Sequence, residues 1–91
     1  MTITAQNILY HEIIGLYANI IESSDSTMRG LAGKIVSETR NTITVESNRG
    51  RAVQIAKNVA TKIGLELDSG VCFISGSSLI GKPEDRIARL H

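Results

Sequence analysis

Along most of the chain, apolar residues recur at every second position. Leu16, Ala18 and Ile20 alternate with Tyr17, Asn19 and Ile21, and Leu31, Gly33 and Ile35 alternate with Ala32, Lys34 and Val36. The same period runs through Ile43 and Val45, through Val53 and Ile55, and through Val71 and Phe73. Successive side chains on a strand point to opposite faces, so this period predicts strands with one buried face. Turn signals separate the runs: Arg40-Asn41, Asn48-Arg49-Gly50, Asp68-Ser69-Gly70 and Ser75-Gly76. Asn and Gly tolerate the positive φ that tight hairpins require. Five or six short strands at this spacing predict a small antiparallel barrel, whose closure would remove exposed strand edges. Gly33, inside a strand run, predicts a sharp bend at a barrel corner.

The ends read differently. Residues 4–10 predict a short helix, with Thr4 as its cap, Ile8 and Leu9 on its apolar edge, and Gly15 ending the segment. So short a helix is unstable alone in water and has to dock on something. Pro83 suits a first helical position, Glu84 and Asp85 suit the first turn, and Asp85 and Arg89 form a favourable pair four apart. A second short helix is therefore expected over 83–90. The polar cluster Ser23-Ser24-Asp25-Ser26-Thr27 reads as a loop, because these side chains bond their own backbone.

At 91 residues the chain is expected to form one domain. With two Tyr, one Phe and no Trp, its core must be built from Ile, Leu, Val and Ala. Cys72 is the only cysteine, which excludes an intrachain disulfide, excludes a zinc site built from several cysteines, and suits a reducing compartment. Its simplest reading is a small buried hydrophobe. No apolar run approaches the ~20 residues that span a bilayer, and no basic start precedes an apolar block. A cytoplasmic protein is expected.

The net charge of +1 conceals an uneven distribution. Residues 1–28 carry −3, residues 29–62 carry +5, and residues 63–91 carry −1. A polyanion responds to local potential, so the basic middle is a candidate surface for phosphate.

Catalytic chemistry is absent from the pattern. Glu84 and Asp85 are adjacent, and consecutive helical residues do not face one another, so they make a poor metal pair. His11 stands beside Glu12 with no Ser or Cys motif near it, and reads as a tie between the first helix and the barrel. Gly30-Leu31-Ala32-Gly33-Lys34 lacks the spacing of a phosphate-cradling loop. The cations are better candidates. Arg49 and Arg51 flank Gly50 at an expected hairpin tip, Arg40 occupies another turn, and Lys57 and Lys62 flank the next connection. Lys34, together with Arg29, Lys82 and Arg86, completes the candidate set. Cations at loop tips can reach phosphates while a rigid scaffold fixes their spacing. With so few aromatics, recognition of RNA by backbone and shape is expected ahead of stacking on unpaired bases.

Four segments carry a resemblance. They are Asn7 to Leu16; Gly30 to Thr42, containing Glu38-Thr39-Arg40-Asn41-Thr42; Lys57-Asn58-Val59-Ala60-Thr61; and Gly76 to Arg86, containing Lys82-Pro83-Glu84-Asp85-Arg86. In this order they resemble the archaeal ribonuclease P protein component 1 family. The resemblance implies an all-β, six-stranded Sm-like barrel with short terminal helices. It implies an RNA-binding subunit of the ribonucleoprotein that removes the 5′ leader of precursor tRNA. The RNA subunit would carry the active site and its magnesium ions, and this chain no catalytic side chain and no cofactor. Implied partners are ribonuclease P RNA, a zinc-ribbon protein subunit, the other ribonuclease P proteins and, through the complex, precursor tRNA. The zinc-ribbon subunit would pack on the terminal helices and an adjacent strand, which makes Ile8, Leu9, His11 and Ile13 its candidate contacts. Lys82 departs from the family, which usually has Arg there; Lys cannot form a two-pronged phosphate bond.

Two other readings stay open on the residues alone. One is a homo-oligomeric Sm-type ring holding single-stranded RNA, and the other a structural adaptor whose terminal helices bind a protein.

Overall fold

A computed structural model describes Ile8 and residues 12–81. The helices expected over 4–10 and 83–90 lie outside these residues, apart from Ile8. Six strands follow in order: β1 (Tyr17–Ser23), β2 (Ala32–Glu38), β3 (Thr42–Glu46), β4 (Ala52–Ala56), β5 (Ala60–Leu67) and β6 (Gly70–Ile74). One short 3-10 turn, Ser26–Met28, joins β1 to β2, and another, Gly76–Leu79, follows β6. The polar cluster before β2 becomes the first of these turns: Asp25 accepts bonds from Thr27 N–H at 3.0 Å and from Thr27 Oγ1–H at 2.7 Å.

All pairings are antiparallel, in the order β4-β3-β2-β1-β5-β6. Strand β1 is the pivot, pairing with β2 on one side and β5 on the other. Register shifts interrupt β1–β5 between Ile20 and Ser23, and β2–β3 between Ile35 and Ser37. Such irregularities bend and twist a strand. Gly33 serves the same curvature by close approach, since a Cβ there would strike the Glu46 carbonyl.

The register explains the core. Ala18 lies opposite Leu65 and Gly33, Ile20 opposite Ile63, Ile35 opposite Val45, and Ile43 opposite Ile55. These side chains share one face and are buried together with Ala60 and Leu79. No aromatic is among the buried core residues described, as the composition led us to expect.

Two hydrophobes depart from expectation. Ile8 and Ile13, proposed from the resemblance as partner contacts, are buried in this core at 1% and 0% exposure. A β-branched side chain with no exposed surface stabilises the domain and offers nothing to a partner.

Strands β4 and β6 end the sheet, and no described ladder joins them. The two ends meet through the segments that leave these strands. Gly81 N–H donates to the Arg40 carbonyl at 2.7 Å, and Lys57 N–H to the Asn41 carbonyl at 2.7 Å. Gly76 packs so closely that a Cβ would strike the carbonyls of Lys57 and Ala60. The sheet is curled on itself and fastened turn to turn.

Candidate nucleic-acid interface

The residues 12–81 contain seven cations, and the structure separates them into two kinds. Six are exposed: Arg29, Lys34, Arg40, Arg49, Arg51 and Lys62. Lys57 is not. Its side chain has no exposed surface, and its Nζ donates to Glu38 Oε2 at 2.7 Å, Thr39 O at 2.8 Å, Gly81 O at 2.9 Å and Arg40 O at 3.2 Å. An ammonium enclosed by a carboxylate and three carbonyls cannot reach a phosphate. The expectation that Lys57 contributes to an RNA face is therefore corrected: it ties the β2–β3 turn to the segments after β4 and β6. The sequence held a faint signal for this, a lone Lys between Ala56 and the run Val59-Ala60.

Arg49 and Arg51 occupy the β3–β4 hairpin. Its geometry is set by the bonds Gly50 N–H to Ser47 O and Ser47 N–H to Arg51 O, both 2.9 Å. Gly50 has φ of +79°, which a side chain would strain. The two guanidiniums are thus presented from a short, fixed turn. Arg40 sits in the β2–β3 turn, closed by Thr39 N–H donating to Thr42 O at 2.9 Å. Five-residue β3 separates the two turns by about 17 Å at strand rise.

Two of the remaining cations lie at the hairpin's end of the sheet, where β2 begins, β3 ends and β4 begins. Arg29 precedes β2, and Lys34 is its third residue. Arg40 lies at the opposite end of β3. Strand β5, with Lys62 as its third residue, begins on Arg40's side: Lys57 N–H donates to the Asn41 carbonyl, and Gly76 packs against the carbonyls of both Lys57 and Ala60. Two of these cations face acids in register: Lys34 pairs with Glu46, and Lys62 with Glu22. Arg29, Arg49 and Arg51 have no such cross-strand acid. Lys62 Nζ also stands 5.3 Å from the centroid of the Phe73 ring. This arrangement can hold polyanionic backbone at the basic end, with the hairpin arginines offering bidentate phosphate contacts.

Lys82, Arg86, Leu9 and His11 lie outside the described residues. Among those described, no three His, Cys, Asp or Glu side chains are grouped as a metal site. No described helix is long and apolar enough to cross a membrane.

Comparison with known proteins decides the family. The model of the ribonuclease P/MRP subunit p29 family matches residues 6–89. The chain belongs to the ribonuclease P/MRP subunit p29 family. Among its relatives is ribonuclease P protein component 1 of Methanocaldococcus jannaschii, 42% identical over 87 residues, covering 96% of this chain and 90% of that one. The protein of the same name from Methanococcus maripaludis is 39% identical over 87 residues, covering 93% and 91%. A solved structure, described as Mth11, a homologue of the human RNase P protein Rpp29, superposes with a TM-score of 0.60. It is 34% identical and covers 84% of this chain and 97% of its own. These p29 relatives favour neither the homo-oligomeric ring nor the adaptor.

Proposed function

We propose that this chain, a protein subunit of ribonuclease P, binds the folded RNA of the enzyme through the basic end of its sheet. The observation that carries this reading is the β3–β4 hairpin: two exposed arginines on a turn fixed by its own backbone bonds. Arg29 and Lys34 extend the surface, and Arg40 and Lys62 provide separate contacts. The subunit neutralises phosphates where RNA helices crowd, so that the catalytic fold persists at lower magnesium. Removal of the 5′ leader of precursor tRNA then belongs to the RNA subunit and its magnesium ions, with no catalytic side chain from this chain.

The family supports the finer architecture as well: an Sm-like barrel, in which the observed curled sheet is the body and the two expected terminal helices are the ends. It also supports a zinc-ribbon partner, the other ribonuclease P proteins, contact with precursor tRNA through the complex, and a cytoplasmic setting. Because Ile8 and Ile13 are interior, the partner surface is drawn from other side chains, Leu9 and His11 being the remaining candidates.

The test is precursor-tRNA cleavage at low magnesium, comparing RNA alone, protein alone, and RNA with this protein and its zinc-ribbon partner. Correct 5′ cleavage only in the combined sample supports the proposal. No stimulation at any magnesium concentration overturns it.

A further inference from the structure

The face of the sheet opposite the core carries an open groove of about 320 Å³ across β1, β5 and β6. Its floor is Gly64, which is buried although it points away from the core. A Cβ there would lie 3.4 Å from Phe73 Cε1, 3.4 Å from Val71 Cγ1 and 3.1 Å from Ile21 Cδ1. Phe73 and Val71 are nonetheless 58% and 54% exposed, and Tyr17, at the mouth, is 36% exposed. Both described aromatics of a chain with so few are thus displayed on one outer face, while the core is aliphatic.

We propose that this groove binds an unpaired RNA base, stacked against Phe73 with its phosphate toward Lys62. The inference rests on the reading of the chain as an RNA-binding subunit and gives one of its cations a specific task. Three polar groups argue for a nucleotide as the occupant. Lys62, on the same face as Gly64, holds its ammonium 5.3 Å from the Phe73 centroid, placing a cation beside anything stacked on that ring. Asn19, directly opposite Gly64, brings an amide with donors and an acceptor to the centre of the groove. Glu66, opposite Val71, lines the end away from Lys62. Its carboxylate repels phosphate and accepts a bond from an exocyclic amino group, which gives the site a direction and favours amino-bearing bases. An aliphatic side chain of a protein partner would use Phe73, Val71 and Ile21 but leave the amide and both charges unanswered. The scarcity of aromatics pointed away from stacking; placing two of them on one outer face changes that expectation.

The test uses the full chain and a short single-stranded RNA carrying 2-aminopurine at one position, beside the same RNA with an abasic site there. Wild type is expected to quench the fluorophore and to prefer the base by at least about fivefold, as stacking of one base provides. Phe73→Leu keeps the apolar bulk, removes the π face and should erase that preference, while Phe73→Tyr should retain it. Lys62→Gln should weaken both RNAs alike and lower the log–log salt slope by about 0.7. Equal wild-type binding of the base and abasic RNAs overturns the proposal. So does a Phe73→Leu protein that keeps the preference, or one that loses only its assembly with a ribonuclease P protein partner. Folded-RNA binding through Arg49 and Arg51 is measured alongside. If it persists without any base preference, the groove alone is wrong; if it too is absent, the RNA-subunit reading fails.

Discussion

Lys57 and the pair Arg49/Arg51 look alike in the sequence: cations at or beside turns in the basic middle of the chain. The structure gives them opposite work. Around Arg49 and Arg51 the hairpin satisfies its own backbone groups, so the side chains are released to solvent. Around Lys57 the β2–β3 turn and the segment after β6 turn the carbonyls of Thr39, Arg40 and Gly81 inward beside the Glu38 carboxylate, and the ammonium is drawn in among them. The acceptors that neighbouring turns direct inward decide whether a cation is structural or available. A buried charge needs partners for every proton it holds, whereas a surface cation at a loop tip needs none.

The sharpest way to break this comparison is to remove Lys57. Lys57→Met removes the ammonium that donates to the Glu38 carboxylate, 2% exposed, and to the carbonyls of Thr39, Arg40 and Gly81. A loss of about 3–5 kcal/mol is expected in urea unfolding, the range for breaking a buried pair from one side. Glu38→Gln should cost less, because Lys57 keeps three carbonyls and an amide oxygen.

Gly76→Ala attacks the same fastening from the other side. The added methyl meets backbone oxygens of Lys57 and Ala60, which cannot swing aside as a side chain could. Destabilisation of about 1–3 kcal/mol is expected, the usual range for overpacking, and the same unfolding titration reads it.

Arg49→Ala with Arg51→Ala should do the reverse of Lys57→Met. Stability should stay within about 0.5 kcal/mol, as for surface substitutions, while RNA affinity falls.

The smallest effect concerns Asp25. Hydrogen bonds from the Thr27 hydroxyl and then from the Thr27 backbone N–H hold its carboxyl below the ordinary carboxylate value, against a slight opposing effect of desolvation. A depressed folded-state pKa contributes stability that is complete above the unfolded pKa and is lost as pH falls through the folded one. Asp25→Asn should therefore lower stability slightly near neutral pH and flatten the acid limb, so that the mutant and wild-type profiles converge at low pH.

The turns and five of the six strands of this protein were legible because their apolar positions alternate and because Asn and Gly mark the breaks. Strand β5, the longest at eight residues, was not. Ile63, Gly64 and Leu65 are buried in succession, two toward the core and Gly64 beneath Phe73 and Val71 on the other face. Ile63, Leu65 and Leu67 do alternate with Gly64 and Glu66, but the run opens on the polar stretch Thr61-Lys62 and no turn signal marks its start. Lys57 and Lys62 read instead as flanking a connection, which also hid the task of Lys57. At the N-terminal side, Ile8 and Ile13 were assigned to a partner through the family resemblance, and the residues alone could not correct it, because a short apolar edge looks the same whichever body it docks on. In this fold the body is the chain's own core. The exposed arginines were legible, since hairpin tips announce themselves locally. The groove over Gly64 was not, because it arises only when β1, β5 and β6 are brought side by side.

The most direct test of the division between structural and available cations is the salt dependence of ribonuclease P RNA binding by the Arg49→Ala/Arg51→Ala protein. With the unfolding midpoint unchanged, the log–log slope should fall by about 1.8, two phosphate contacts at roughly 0.9 each in duplex. An unchanged slope and affinity would mean that the hairpin arginines do not touch RNA, and the basic end would have to be given up as the interface.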